Sequence, residues 1–186
     1  MRKIIYWVHT SVDGYIEGPN GEFDWAVPGP GLAGYADGLQ ERVDTFLYGR
    51  TVWEMMSAYW PHADSISDDA HDRAFAPVWR RTPKIVFSRT LTRADWNTRV
   101  VGGDLADEVA ALKRAPGRDL LLTGGAELAG ALTRLGLVDE SHIAVHPVLL
   151  GGGKPLCGTG KERVALRLVE SRTVDGRVVI MRYHRG

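Results

Sequence analysis

Between Asp119 and Leu132 the chain reads Asp-Leu-Leu-Leu-Thr-Gly-Gly-Ala-Glu-Leu-Ala-Gly-Ala-Leu. Three consecutive leucines do not alternate with polar residues, so they predict a strand buried on both faces, with other elements packed on each side. Gly124-Gly125 ends that strand. Leu128, Leu132 and Leu135 then recur at i, i+4 and i+7, the apolar stripe of an amphipathic helix. The expected order is strand, glycine turn, helix. A helix start carries unpaired N–H groups and the positive end of the macrodipole, and two residues without Cβ let an anion approach the backbone. A tight turn that binds nothing has the same local sequence, and this stretch alone does not separate the two.

The junction recurs along the chain. Lys3 to His9 is rich in β-branched and aromatic residues and predicts a first buried strand. It runs into a long loop, Thr10 to Gly21, of a length that tends to be functional or mobile in compact domains. A helix is expected over about Leu32 to Val43, then a second strand, Thr45 to Tyr48, stopped by Gly49. Thr51 and Glu54 have the spacing of a capping box, which starts a helix at Thr51 and leaves Arg50 at its mouth. A guanidinium gains nothing from the positive end of a helix dipole, so an anion is its natural partner there. Tyr59-Trp60-Pro61 ends that helix, and an acidic segment, Asp64 to Asp72, precedes another that runs to Arg81. Lys84 to Phe87 predicts a third strand ending at Ser88-Arg89; Arg99 to Val101 a short fourth; Asp104 to Lys113 a helix capped by Asp104. After the leucine strand, Asp139 to His146 reads as another strand. The end of the chain reads as a hairpin around Asp175-Gly176, a favoured two-residue turn.

Three tempting patterns are set aside. Gly29-Pro30-Gly31-Leu32-Ala33-Gly34 matches a dinucleotide fingerprint letter for letter, but no strand precedes it and it contains a proline. Leu150 to Pro155 fails as a phosphate loop, because Val148 stands where its first glycine belongs and Pro155 replaces Ser/Thr. His62, Asp64 and His71 fit no metal spacing, and His142 with His146 share a strand face and are read as structural. No metal is expected.

With 186 residues, 44% hydrophobic, the chain is expected to form one domain over 1–186 with a core of its own. Its 23 basic and 23 acidic side chains balance and are scattered, so neither nucleic acid nor an acidic membrane is an expected partner. A single cysteine, Cys157, excludes an internal disulfide. With neither a signal-peptide pattern nor a membrane-length apolar run, a cytoplasmic protein is expected. Strands alternating with helices, then a strand-rich end, predict an α/β domain around a mostly parallel sheet flanked by helices, with antiparallel C-terminal strands. Ligands in such folds sit at the C-terminal ends of the strands. Those ends are the Ser11–Gly21 loop, Gly49-Arg50-Thr51, Ser88-Arg89 and Gly124-Gly125, so a large anionic ligand is expected there.

The ordered set of these junctions resembles the dihydrofolate-reductase-like superfamily. It is most similar to small proteins grouped with the reductase, or RibD C-terminal, domain of riboflavin-biosynthesis enzymes. The similar segments are Ser11 to Ile16, Leu47 to Glu54, Phe87-Ser88-Arg89, Gly124 to Leu128, Leu137 to Glu140 and Pro147 to Gly151, which span nearly the whole chain. The resemblance implies an NADPH-dependent reductase that passes a hydride to a pteridine- or pyrimidine-like heterocycle. Gly49, Arg50 and Thr51 would hold cofactor phosphates, and Ser88 and Arg89 would meet the adenosine 2′-phosphate. Thr123, Gly124 and Gly125, with the helix start at Ala126 and Glu127, would cradle the pyrophosphate. Trp25 and Trp53 are the expected substrate contacts, the Asp13–Gly21 loop would close over the nicotinamide, and a homodimer through the C-terminal strands is expected.

Two departures from the family pattern bear on the substrate. Thr123 stands where riboflavin-pathway reductases usually carry a glutamate, and Trp53-Glu54-Met55-Met56 replaces an Asp-Asp-Pro segment used for a phosphorylated substrate. No carboxylate is spaced convincingly for a pterin. Asp13 and Asp37 are the candidate proton donors, with a bound water as the alternative. An NADP(H)-binding module with little turnover is the second functional expectation.

Overall fold

The computed structural model describes residues 1–158 and 162–186. In chain order the elements are β1 (Ile4–Ser11), β2 (Tyr15–Glu17), α1 (Pro30–Arg42), β3 (Val43–Gly49), α2 (Arg50–Tyr59), α3 (Ala63–Ile66), α4 (Ala70–Arg81), β4 (Lys84–Phe87) and β5 (Thr98–Val101). They continue with α5 (Leu105–Arg114), β6 (Asp119–Thr123), α6 (Ala126–Arg134), β7 (Glu140–His146), β8 (Lys154–Pro155), β9 (Leu166–Val174) and β10 (Val178–Arg185). The main sheet has eight strands in the order β5-β4-β3-β6-β1-β7-β10-β9. Its first six strands are parallel and the β10 and β9 pairings are antiparallel, so the sheet is mixed and mostly parallel, as its sequence pattern predicts.

The leucine strand is fourth of eight in this order, one of the two central strands, between β3 and β1, and is covered on both faces. Leu120 and Leu122 pack into one core layer with Ile4, Tyr6, Leu47 and Leu132, while Leu121 packs into the other with Ile5, Trp7, Phe46 and Trp79. Full burial of such a side chain stabilises by roughly 1.5–3 kcal/mol, so the unbroken leucine run pins the strand in the centre of the sheet. The helix after it buries Ala126, Ala129, Gly130 and Leu132, but Leu135 is half-exposed at the C-cap and does not extend the stripe. Gly130 is in contact for a steric reason: a Cβ there would come within 2.4 Å of the Cys157 carbonyl oxygen, which crosses α6 at that point.

The C-terminal hairpin joins distant parts of the chain. Asp175, at φ 53°, and Gly176, at φ 65°, are the central residues of the hairpin turn, closed by Arg177 N–H to the Val174 carbonyl at 3.1 Å; because Val174 pairs with Val178, the loop has three residues where two are expected. The Asp175 carboxylate then accepts hydrogen bonds from Gly31 N–H (2.7 Å) and Leu32 N–H (2.9 Å), capping α1 across 144 and 143 residues of chain. A Cβ on Gly29 would strike that carboxylate, at 2.5 Å. Gly29 and Gly31 of the false dinucleotide fingerprint thus admit an intramolecular carboxylate. The acidic segment behaves as a helix start: Asp69 accepts from His71 N–H and caps α4, and Asp64 pairs with Arg80 at 2.7 Å.

Candidate active site

Parallel pairing puts the C-terminal ends of the strands in one row. Gly49 pairs with Phe87 across β3 and β4, Leu47 with Leu122 across β3 and β6, and Trp7 with Thr123 across β1 and β6. Gly49-Arg50, Ser88-Arg89 and Thr123-Gly124-Gly125 therefore leave the same edge of the sheet. The strand order reverses here, because β6 inserts between β3 and β1, and such switch points open a crevice for ligands.

The two glycine junctions touch. A Cβ on Gly125 would lie 3.2 Å from Val52 Cγ2 in the first turn of α2, and one on Gly124 would lie 3.9 Å from the same atom. A Cβ on Gly49 would meet Leu128 of α6 at 3.8 Å. The starts of α2 and α6 are thus side by side, with the approach tight for a Cβ at Gly125 and ordinary at Gly49 and Gly124. Gly124 and Gly125 have φ of 56° and 72°, and Gly125 caps α6 with ψ 86°, outside the left-handed well of ordinary residues. The N–H groups that open α6 have no intrahelical acceptor and converge on this crevice with the helix dipole. Ala126 is buried against the core and Glu127 is exposed.

The capping box does not form. The helix begins one residue earlier than expected, at Arg50, with Gly49 as its cap and no side-chain hydrogen bond to it. Thr51 is inside the first turn, and Glu54 pairs with Arg50 at 3.1 Å, an exposed i,i+4 ion pair that holds the guanidinium at the helix mouth. On the neighbouring strand the Ser88 hydroxyl accepts from Leu91 N–H at 2.9 Å and Thr90 N–H at 3.2 Å, which turns the chain and leaves Arg89 exposed.

Beside the Gly124-Gly125 turn a cleft of about 350 Å³ runs between α1 on one side and α2 and α4 on the other. Its lining includes Thr123, Gly124 and Gly125 from the expected cofactor residues, but not Gly49, Arg50, Thr51, Ser88, Arg89, Ala126 or Glu127. Trp7 and His9 of β1 line the cleft with Phe23, Tyr59 and Trp60. His9 was not among the expected site residues. Its Nδ1 is 2.9 Å from His146 Nε2, so one imidazole donates to the other. Burial holds His9 down at about 3, with the neighbouring His146 adding to the effect, and burial also lowers His146. Strand alternation puts Trp7 and His9 on one face, a signal present in the sequence; the meeting with His146 depends on β1 pairing with β7, which is not.

Four expected site residues are elsewhere. Asp13 does not line the cleft: its carboxylate accepts from Leu150 N–H (3.1 Å) and Gly151 N–H (2.7 Å) and ties the loop after β1 to the loop after β7. A hydrogen bond from Ser11, with those from the Gly151 and Leu150 backbone, holds it down at about 2, so at neutral pH it has no proton to give. Asp37 is on the exposed side of α1, 3.7 Å from His71, and lines with Arg81 and Arg118 an adjoining hollow that shares Gln40, Phe46 and Phe75 with the cleft. Trp53 turns from the cleft and donates to Thr98 Oγ1 of β5 at 3.2 Å, while Trp60, four residues past Met56, faces the cleft. Trp25 backs the lining, edge-on to Phe23 at 5.4 Å and to His146 at 5.5 Å. The first half of the expected lid is pinned, since β2 pairs with β8 and Lys154 joins Glu17 at 2.8 Å.

A parallel core with a C-terminal antiparallel hairpin and a glycine-lined crevice at its switch point defines the dihydrofolate-reductase-like class, and the comparisons agree. The model of the RibD C-terminal domain matches residues 2–180, and the chain belongs to that family. It is 38% identical over 183 residues to the Bacillus subtilis protein described as "Uncharacterized protein YyaP", covering 98% of this chain and 95% of that one. A crystal structure of a "Putative riboflavin biosynthesis protein" from Shewanella sp. PV-4 superposes with a TM-score of 0.78 at 29% identity, covering 99% of each chain. Dihydrofolate reductase from Enterococcus faecalis, complexed with NADP(H), shares the fold at a TM-score of 0.65 and 15% identity, covering 99% of this chain and 96% of that one. Among the described residues no helix is long and apolar enough to cross a membrane.

Proposed function

We propose that residues 1–186 act as one NADPH-dependent reductase unit that reduces a small pteridine- or pyrimidine-like ring. The observation that carries this reading is the contact between two glycine-opened helix starts at the edge where Arg50 and Arg89 emerge, directly beside an enclosed cleft. The fit to a phosphorylated cofactor rests on that cradle: a Cβ at Gly125 would fill it, and α6 presents free N–H groups at its floor. Gly49, Thr51, Gly124, Gly125 and the backbone of Ala126 and Glu127 would hold the pyrophosphate, with Arg50 above it. Ser88 and Arg89 would take the 2′-phosphate, a task suited to a planar guanidinium fork. When bound, the nicotinamide supplies a hydride. The chain's own contribution is positioning and water exclusion: Trp7, His9 and Phe23 close the cleft beside Thr123, where the ring of the substrate would be held. With Asp13 ionised and Asp37 outside the cleft, a proton would come from a bound water. The C-terminal hairpin, whose outer strand β9 is largely exposed, would supply a homodimer contact.

A second reading, an NADP(H)-binding module with little turnover, is favoured by the engagement of both carboxylates that line the cleft, Glu17 with Lys154 and Asp72 with Ser67 and Tyr59. Calorimetric titration with NADPH and NADH, followed by NADPH oxidation across pterins and pyrimidinediones, separates the two. NADPH is expected to bind tighter than NADH, and Arg89→Ala to weaken NADPH by about tenfold or more, the loss of one charge-assisted contact of roughly 1.5–3 kcal/mol, with NADH unchanged. Equal binding of both nucleotides would overturn the assignment of Ser88 and Arg89.

A further inference from the structure

Cleft chemistry points to a narrower class of ligand than the family resemblance does. Among the described residues, no lysine or arginine lines the cleft. Its walls are rings and thioethers, chiefly Trp7, Phe23, Trp60, Met55 and Met56. Two carboxylates reach it, and both are already engaged: Glu17 with Lys154 at 2.8 Å, and Asp72 as acceptor of hydrogen bonds from Ser67 (2.8 Å) and Tyr59 (2.5 Å). A phosphate placed against these walls, away from the N–H groups of the Gly124-Gly125 turn, would lose its water and meet no lysine or arginine of the lining. Taking an unpaired charge out of water is among the costliest steps in recognition, so such a site selects against it.

Beside Gln40, Tyr48, His71 and Thr123, the polar groups of the lining include the imidazole of His9, which stands against the rings of Trp7 and Phe23. Its Nδ1 is committed to His146 Nε2, and no hydrogen bond within the described residues engages its Nε2. Both rings are neutral at pH 7, since burial disfavours their charged forms. One neutral donor or acceptor in an aromatic enclosure suits a flat molecule with a polar edge.

We propose that the ligand of this cleft is a flat, uncharged ring system without a phosphate group, enclosed by Trp7, Phe23 and Trp60 and hydrogen-bonded at one edge by His9, whose tautomer His146 sets. The proposal deepens the reductase reading, in which that ring is the hydride acceptor, and it departs from a phosphorylated riboflavin-pathway substrate. His9 is a specificity-determining residue in this scheme and carries no proton-transfer step.

The test is binding of one ring system with and without the charge. 1-Naphthol and 1-naphthyl phosphate are titrated calorimetrically into the full chain at pH 7 and 150 mM salt, on the order of physiological ionic strength. 1-Naphthol is expected to bind at least tenfold tighter than its phosphate. His9→Ala is expected to weaken 1-naphthol by tenfold or more, with His9→Asn, which keeps a polar edge, retaining part of that affinity. Met55→Lys, at a half-exposed position on the wall that makes misfolding an unlikely confounder, is expected to narrow the preference at least fivefold by supplying a cation. Equal or tighter binding of the phosphate, binding of neither compound, or a preference unmoved by Met55→Lys would each overturn the proposal. NADPH is titrated into the same preparations: a chain that prefers 1-naphthol but ignores NADPH refutes the reductase reading and not this one, and the reverse result refutes this one alone.

Discussion

Replacing Gly125 by alanine tests the geometry on which the proposed cofactor site depends. The residue has φ 72° and ψ 86°, and a left-handed conformation costs an L-residue about 1–2 kcal/mol. The new Cβ would also stand 3.2 Å from Val52 Cγ2, tighter than ordinary van der Waals contact, so Val52 or the turn must give way. Against these, alanine restricts the unfolded chain and returns about 0.4–1 kcal/mol. The net expectation is a loss of about 1–2 kcal/mol of folding stability, read from the urea midpoint at constant m-value. Gly124→Ala is the control, because its φ of 56° falls within the left-handed well and its nearest neighbour is 3.9 Å away. It should cost less than Gly125→Ala. Adding Val52→Ala to Gly125→Ala should recover the contact part, a coupling of about 0.5 kcal/mol or more, and leave the backbone part in place. In the same preparations NADPH should bind Gly125→Ala about tenfold more weakly, the equivalent of one lost backbone contact to phosphate. A Gly125→Ala protein as stable as the parent, or one restored completely by Val52→Ala, would refute the claim that backbone conformation and close approach both demand glycine here.

Two further predictions concern buried charge. Glu140 is buried and accepts from Lys3 at 3.0 Å, from Arg42 at 3.0 and 3.1 Å, and faces His142 at 3.2 Å; Glu140→Gln should lower stability by about 3 kcal/mol, measured by urea denaturation, because the remaining charges lose their partner. A loss below about 1 kcal/mol would mean the cluster is solvated. Acid should destabilise the protein in two stages. His9 is held neutral, at about 3 against 6.5, so the unfolded chain takes up the proton first and stability falls as pH drops from about 6.5 toward 3, at up to about 1.4 kcal/mol per pH unit. The hydrogen bond to His142, with those from Lys3 and Arg42, holds Glu140 below the usual carboxylate range, so its contribution is complete above 4.5 and is lost as pH falls beneath that. Melting temperature against pH should therefore decline from 6.5 and steepen below 4.5, and His9→Asn should flatten the upper stage only. An unchanged upper stage in His9→Asn would refute the buried neutral pair.

Local signals in the chain were enough to determine the layers. A triple leucine run cannot be half-buried, glycine pairs must end strands, and Asp104 and Asp175-Gly176 form the cap and the turn their chemistry requires, because each of these is a preference of a few neighbouring residues. The row of strand ends that makes the candidate site follows almost directly, since parallel strands joined by helices must present the same ends on the same side. Tertiary structure decided what side chains do once distant elements meet. Thr51 yields the cap to Gly49 and Glu54 turns to Arg50, because the helix start is set by packing against α6. Asp13 clamps a loop from 137 residues away, Asp175 caps a helix that it follows by more than 140, and His9 finds His146 only through the pairing of β1 with β7. No local window of sequence contains both partners of these last three contacts, and the polar edge that His9 presents to the cleft depends on the third of them.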